Sequence, residues 1–494
     1  MLTKWIGRSA AAAAVLLATS ASTAAAAPNG NTPFAQSYAA NNVTNVTATS
    51  QLVSCYSPEV TYFDTLAAGY PGGGMSPCPG ATTGEQTQGF ATQDVSNPAM
   101  LVKDHSESDI RVDPANPLHL IGQSKWFVSA EGYNHLLGFY ESWDGGKTFP
   151  VQGHVPGYEG WTDNTDPVGA FDRWGNLYSL VLPYEFVYAK SGGHVFNNGS
   201  NQANPAQPPE AVSVAVHPAA RAGRQTARNW ITTHNGSPDF VFTTKNADTN
   251  TPDKQWIAID TNPPLRSSHS GRVYAMFTQF VLNSSRILLS YAQANPDGTH
   301  SDWSTPRELP TIPGHPFDTY LLPHVAPDGT LYTTVTNNPV SKGFLNNSIY
   351  LLSSTDGGDS WSAPSLVIPS VLSPTYRNTT FTEGIVNSFG LGSTKVGGHW
   401  PLYVAYENED PDGYSRVPAL TPIGRNIRLS KNTCDPQLNA PKRFCICGSS
   451  TFLGDYFGLD FGGGYTYTTS ISTYDDGTNP ENYQQQVVAR VATP

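Results

Sequence analysis

Small groups of acids, histidines, tyrosines and arginines recur along this chain, each set just before or between runs of strand-forming residues. In order they include His105-Ser106-Glu107-Ser108-Asp109, Glu131-Gly132-Tyr133-Asn134-His135, Asp163-Asn164-Thr165-Asp166 and Asp253-Lys254-Gln255-Trp256. Arg266 to Arg272, Asp318 to His324, Tyr376-Arg377-Asn378 ahead of Glu383, and Gly454-Asp455-Tyr456 follow. Gathered at one cavity, such groups could protonate a leaving oxygen, take a proton and neutralise an anion, which is acid–base work on a sugar. His105, Tyr133 and His135 are candidates for proton transfer, with Asp166 and Arg377 beside them. Asp109, Arg111, Asp163, His324, Tyr376, Glu383, Asp455 and Tyr456 are candidates for substrate contact. Trp161 and Trp256 offer faces on which a pyranose ring could stack. Each has a plainer alternative: an aspartate ahead of a strand caps a turn, an arginine pairs with a buried carboxylate, and an aromatic fills space between sheets.

Several other chemistries are missing from the sequence. It has no G-x-S-x-G elbow, no H-E-x-x-H pair, no phosphate-cradling G-x-x-x-x-G-K and no EF-hand loop. The run Glu407-Asn408-Glu409-Asp410-Pro411-Asp412 has oxygen ligands for a structural Ca²⁺, although a solvated hairpin tip is the simpler account of it. No cofactor is required by this chemistry. Cys445-Ile446-Cys447 leaves one residue between the thiols, where zinc pairs need two to four. With 27 basic and 39 acidic side chains and a formal charge of −12, the chain lacks the basic face that nucleic acid demands.

The elements that must position these groups are β-strands. Charged residues make up 13% of the 494 residues, about half of the ~25% usual in soluble proteins, and aromatics reach 11%, enough for a large core. Lys4 and Arg8, the apolar run Ala10 to Ala18 and the small residues Ala24 to Ala27 have the anatomy of a secretory signal. Residues 1–26 are therefore set apart, and the remainder is expected to be exported and monomeric, with no membrane span. Five cysteines suit an oxidising compartment: Cys55 and Cys78 could close one loop, and Cys434 could pair with Cys445 or Cys447. Asn-x-Ser/Thr sequons stand at Asn42, Asn45, Asn198, Asn235, Asn283, Asn346 and Asn378. Residues 27–100 read as a loop-rich extension with one or two strands. From 101 to 494, short runs such as NLYSLVLPY, RVYAMFTQF and SIYLLSST are bounded by Gly, Pro, Asn or Asp.

These runs are grouped. Units start at Ser108, Asp166, Lys254 and His324, with less regular ones near Glu383 and Asp455. A unit of three strands that cannot cover both of its faces must stack on its neighbours about an axis, so the fold expected is an all-β propeller of six or seven blades. Within it, Ser142-Trp143-Asp144-Gly145-Gly146-Lys147-Thr148-Phe149 and Ser354-Thr355-Asp356-Gly357-Gly358-Asp359-Ser360-Trp361 both fit S-x-D-x-G-x-[ST]-[FW]. This resembles the Asp-box (bacterial neuraminidase repeat) of sialidases and related propellers. The resemblance implies structural turns on the side away from an active face.

That family binds its substrate carboxylate with three arginines, activates a tyrosine with a glutamate and uses an aspartate as acid/base. Arg111, Arg377 and Arg425, Tyr376 with Glu383, would be the counterparts in this chain. The family's Phe/Tyr-Arg-Ile-Pro signature is missing, with Asp109-Ile110-Arg111-Val112-Asp113-Pro114 standing in its place. The stretch from Lys103 to Asp172 also resembles secreted propellers that cleave terminal L-rhamnose from glucuronate in gum arabic and arabinogalactan glycans. That resemblance implies β-elimination, with Arg377 or Arg111 on the uronate carboxylate and His105, His135 or Tyr133 moving the proton. The leading expectation is a lyase acting at the non-reducing end of acidic glycans. An exo-sialidase and a non-catalytic glycan-binding propeller are the alternatives.

Overall fold

A computed structural model describes residues 48–52, 57–58, 101–102, 104–127, 135–155, 157–158, 163–184, 187–189, 201–203, 208, 210–219, 230–245, 250–312, 317–337, 346–372, 387–391, 402–406, 442–443, 450–451, 458–475 and 484–492. Within these residues, five antiparallel sheets of four strands form the body of the molecule. Blade 1 runs from an inner strand, Asp104–Val112, through Leu120–Phe127 and His135–Ser142 to an outer strand, Val151–His154. Blade 2 consists of Asp163–Phe171, Leu177–Tyr184, Glu210–His217 and Phe240–Thr244. Blade 3 consists of Asn250–Ile259, Arg272–Val281, Ser284–Gln293 and Arg307–Glu308. Blade 4 consists of Asp318–Val325, Leu331–Asn337, Asn346–Ser354 and Ser365–Leu372. A two-stranded sheet, Asn387–Leu391 with Leu402–Tyr406, packs its first strand on the inner strand of blade 4.

The closing blade is built from both halves of the sequence. Leu459–Gly462, Tyr465–Ser472 and Gln485–Ala492 supply its inner three strands, and Ala48–Leu52 pairs along Val487 to Val491 as the outermost.

Each blade leans on the next. Val112 N donates to Asp460 Oδ2 of the closing blade at 2.8 Å, and Gly169 N of blade 2 donates to Asp109 Oδ2 of blade 1 at 2.7 Å. Gln255 Nε2 of blade 3 reaches Asp166 O at 2.6 Å, and Asn262 Nδ2 reaches Ala326 O of blade 4 at 2.8 Å. Between these polar contacts lie apolar wedges. Val212, Val214 and Val216 of blade 2 pack on Ile257, Val273 and Phe277 of blade 3, whose other face sets Tyr274, Met276 and Leu289 against Leu321 and Val335 of blade 4. Both faces of each middle strand are thus covered, which is why EAVSVAVH (210–217) is buried throughout instead of alternating. This arrangement is a β-propeller. Among the described residues no helix is long and apolar enough to cross a membrane.

The two Asp-boxes join the third strand to the outer strand of their blades. Asp144 Oδ1 accepts from the amides of Lys147 and Thr148, both at 2.9 Å, while Gly146 N donates to Ser142 Oγ at 2.9 Å. Asp356 repeats this with Ser360, whose hydroxyl and amide hold its carboxyl down at about 2. Phe149 is buried against Tyr467 of the closing blade, so the box also pins neighbouring blades together. Replacing Asp144 by Ala is expected to lower stability by about 1 kcal/mol, read as a shifted urea midpoint, with turnover unchanged. A loss of turnover at full stability would contradict a purely structural role.

All four regular units begin earlier than the sequence places them: at Asp104 and not Ser108, Asp163 and not Asp166, Asn250 and not Lys254, Asp318 and not His324. In each the bulge hides the two-residue period of the inner strand, and in the fourth Pro323 interrupts the run as well.

Candidate active site

The four complete inner strands of blades 1 to 4 share one irregularity. Pairing with the second strand slips between Ser106 and Asp109, between Thr165 and Val168, between Asp253 and Trp256, and between Thr319 and Leu322. In each slip the second residue has a positive φ: Glu107 (53°), Asp166 (55°), Lys254 (54°) and Tyr320 (48°). Only two other non-glycine residues among those described, Asn235 and Leu282, have this conformation. A bulge re-aims a side chain out of the alternating pattern, and left-handed backbone costs a residue bearing a Cβ roughly 1–2 kcal/mol. Four equivalent bulges therefore turn an acid, a second acid, an ammonium and a phenol toward one axis.

Their contacts confirm that they meet. Glu107 Oε2 lies 3.1 Å from Lys125 Nζ, which reaches over from the second strand of blade 1, and accepts from Thr165 Oγ1 of blade 2 at 2.7 Å. Thr165 Oγ1 is also hydrogen-bonded to Asp166 Oδ1. One hydroxyl carries one hydrogen, so both contacts are satisfied when Thr165 donates to Glu107 and a protonated Asp166 donates to Thr165. Lys254 Nζ stands 5.7 Å from the ring centre of Tyr320 and 3.6 Å from Asp253 Oδ2. Glu107, Asp166, Lys125 and Lys254 are all buried.

The two acids titrate apart. Burial alone would raise the Glu107 carboxyl, but Lys125, the hydrogen bond with Asp166, and Lys254 outweigh it and hold Glu107 well below the ordinary range. Burial raises Asp166, and the charge of Glu107 and the hydrogen bond to it raise it further, against the pull of Lys254. The proton that the pair shares therefore resides on Asp166 and not on Glu107. A proton held beside an anion and two ammonium groups is what a general acid requires.

Farther along the axis, Arg111 Nε donates to Asp109 Oδ2 at 3.0 Å, and Nη2 lies 2.8 Å from Oδ1. The guanidinium stands 5.6 Å from the ring centre of Trp256, across from blade 3. Burial pushes Asp109 up, opposed by Arg111 and by the amide of Gly169. Asp109 and Arg111 thus satisfy one another, and Trp256 presents to Arg111 the ring expected to meet a sugar. His324 is half-buried four residues beyond Tyr320, level with Tyr332. Of the expected site residues, Asp166 stands in the ring itself.

The backbones of His105, His135 and Asp163 lie at the bulged end of their blades: His105 is level with Trp126, and His135 with Phe127. Tyr133, Trp161, Tyr376, Arg377, Glu383, Asp455 and Tyr456 lie outside the described residues, as do all five cysteines, Arg425 and the acidic run 407–412. Among the described residues no group of three metal-type ligands gathers. Glu107, Lys125, Lys254 and Tyr320 are not singled out by sequence, although three of them stand inside the polar clusters. Their neighbours draw attention instead, because a bulge shifts the inward position by one residue.

No family model and no curated protein matches this chain. Solved structures of similar course include a protein of unknown function from Dyadobacter fermentans (TM-score 0.41, 8% identity, 79% of this chain and 95% of that one). Another is the intramolecular trans-sialidase from Ruminococcus gnavus in complex with oseltamivir carboxylate (0.40, 11%, 84% and 98%). A third is the α-L-arabinofuranosidase of Fusarium graminearum with arabinobiose (0.38, 8%, 79% and 93%). Likeness this distant is silent on activity. The fold assignment stands on strand order and blade contacts.

Proposed function

We propose that this protein is an exported carbohydrate-active enzyme whose reaction centre is the ring formed by Glu107, Asp166, Lys254 and Tyr320. The observation that carries the reading is the buried Glu107–Asp166 pair, which keeps a carboxylic acid protonated where the blades meet. Asp166 protonates the departing glycosidic oxygen. Glu107, fixed between two ammonium groups, keeps that proton in place before reaction, and in hydrolysis it also stabilises positive charge developing at the sugar. The substrate is an acidic oligo- or polysaccharide approached from its non-reducing end, and the chain acts as a monomer. The sheet Asn387–Leu391 with Leu402–Tyr406 is read as the inner part of a sixth blade.

How the bond breaks after protonation separates two readings. β-Elimination from a uronate is supported by the Lys254 ammonium beside Tyr320, a phenol that can act as base when a cation stands near it, and by the backbones of His105 and His135 at the same end. Hydrolysis is supported by the concentration of carboxyl groups at the axis. The ion pair of Arg111 with Asp109 bears on both readings, since each sets Arg111 on a substrate carboxylate. Incubation with gum arabic distinguishes them: elimination gives an unsaturated uronate with new ultraviolet absorbance and free L-rhamnose, and hydrolysis gives reducing sugar without the absorbance. Release of sialic acid from sialyl-lactose would overturn the lyase reading. Binding of acidic glycans without any product would overturn both and leave a lectin.

A further inference from the structure

Blades 1 and 4 close the connection from third to outer strand with an Asp-box, and blades 2 and 3 have no match to that pattern there. Their two connections instead meet across the seam between the blades, at the end away from the bulges. Each contributes one histidine and one aspartate. Blade 2 offers His234, in the hairpin Thr233–His234 with Ser237–Pro238, and Asp239, just ahead of its outer strand. Blade 3 offers His300 and Asp302 from the segment that follows Ser284–Gln293. The pairs are crossed: His300 Nε2 lies 2.7 Å from Asp239 Oδ2, and His234 Nε2 lies 2.7 Å from Asp302 Oδ1. The two imidazoles stack on each other, ring centres 4.7 Å apart and 9° from parallel. His300 is bonded at both nitrogens. Its Nδ1 lies 2.7 Å from Ser301 O, a carbonyl that can only accept, so Nδ1 carries a hydrogen. Asp239 Oδ1 accepts from Trp303 Nε1 at 3.0 Å, so two groups of blade 3 grip one buried carboxylate of blade 2.

We propose that these crossed histidines and aspartates are a pH-operated clasp on the seam between blades 2 and 3, shut while His300 is an imidazolium and released when its Nε2 loses the proton. The groups facing His300 are Asp239 and His234 of blade 2, Tyr178 of the same blade, whose phenol burial keeps protonated, and Asp302 and Trp303 of its own segment. Burial alone would lower the His300 pKa, but Asp239, Ser301 O and Asp302 outweigh it and raise it. The stabilisation is therefore complete below the unfolded pKa and is lost as pH rises through the raised one. Beyond that point a ring lone pair faces a carboxylate, and the contact turns repulsive. The apolar wedge between the two blades carries no charge, so release is local to the clasp. At its other end the same seam carries the bond from Gln255 Nε2 to Asp166 O, so the clasp fastens the blades that supply Asp166 and Lys254. It does not depend on the glycan reading.

The test is amide hydrogen exchange of the whole protein at pH 6 and pH 9, each rate corrected for the intrinsic effect of pH. The amides to follow are those of Ile231, bonded to Val216 O, of Asp239, bonded to Thr232 O, and of Ser301, bonded to Gln293 O. Wild-type protection at these three is expected to be about tenfold lower at pH 9, the equivalent of one hydrogen bond to a charged group. Amides of the inner strand Asn250–Ile259 are expected to keep theirs. His300→Gln, which cannot titrate, and Asp239→Asn, which leaves no carboxylate, are each expected to show equal protection at both pH values, below that of the wild type at pH 6. Equal wild-type protection at pH 6 and pH 9 overturns the proposal. A pH effect that persists in His300→Gln overturns it too, by assigning the effect to His234. So does a loss at pH 9 that extends to the inner strands, which would mark alkaline unfolding of the whole molecule.

Discussion

Asp166→Asn is expected to lower turnover by about 10²–10⁴-fold while making the folded protein more stable at neutral pH. The two effects have opposite signs for one reason. Asp166 carries a folded-state pKa raised by burial and by Glu107, so its native form binds a proton more tightly than its unfolded form. The associated stability is present below the unfolded pKa and is lost as pH climbs through the folded one. At pH 7 the wild-type protein has therefore given up part of that stability, and an uncharged amide recovers it. Turnover against pH supplies a second readout: the active form is the protonated one, so the alkaline limb follows Asp166. In Glu107→Gln the charge that props up Asp166 is gone, and the limb must move to lower pH. A limb that stays in place would show that Glu107 does not hold the Asp166 proton, and a destabilised Asp166→Asn would mark the pair as scaffold.

Gly458→Ala is expected to be the most damaging single substitution in the scaffold. Gly458 leads into the inner strand of the closing blade, and a Cβ there would lie 2.2 Å from Ile110 N and 2.7 Å from Asp109 C of blade 1. These are backbone atoms and cannot rotate away. The same glycine is zipped in place by its amide to Thr469 Oγ1 and its carbonyl to Thr469 N, both at 3.0 Å, and Thr469 continues to Ser108 Oγ at 2.9 Å. The methyl must push the closing blade off the axis, at a cost of about 3 kcal/mol or more. A urea titration would show it, and an alanine variant with an unchanged midpoint would mean that the inner strands stand farther apart than these distances.

How far the sequence reaches toward this structure depends on which signal each residue leaves. The Asp-boxes are legible because their function is local: Ser, Asp, Gly and the aromatic satisfy one turn, so spacing alone identifies them. Blade 2 is legible in part, because NLYSLVLPY is apolar over most of a strand length. The ring is half-visible. The clusters HSESD, DNTD and DKQW stand out as polar places where the axis should be, and all three fall on inner strands. Which residue in each faces inward is not readable, since a bulge inserts one residue and reverses the alternation on which inside–outside arguments rest. Alternation puts Glu107 and Asp109 on one face and cannot choose between them; the bulge parts them, and the partners of Asp109 are Arg111 and the amide of Gly169. Lys125 leaves no local trace, because its relation to Glu107 is made by strand pairing.

The outermost strand of the closing blade has a consequence for the order of assembly. Ala48–Leu52 is made before the four blades that separate it in sequence from its partner Gln485–Ala492. A ribosome must make everything between the two strands before the circle can be fastened, so the earlier segment waits for its partner while the intervening blades are made. The entropic penalty of bringing such distant ends together grows only by about 0.6 kcal/mol for each doubling of separation, so the clasp delays completion far more than it weakens the finished molecule.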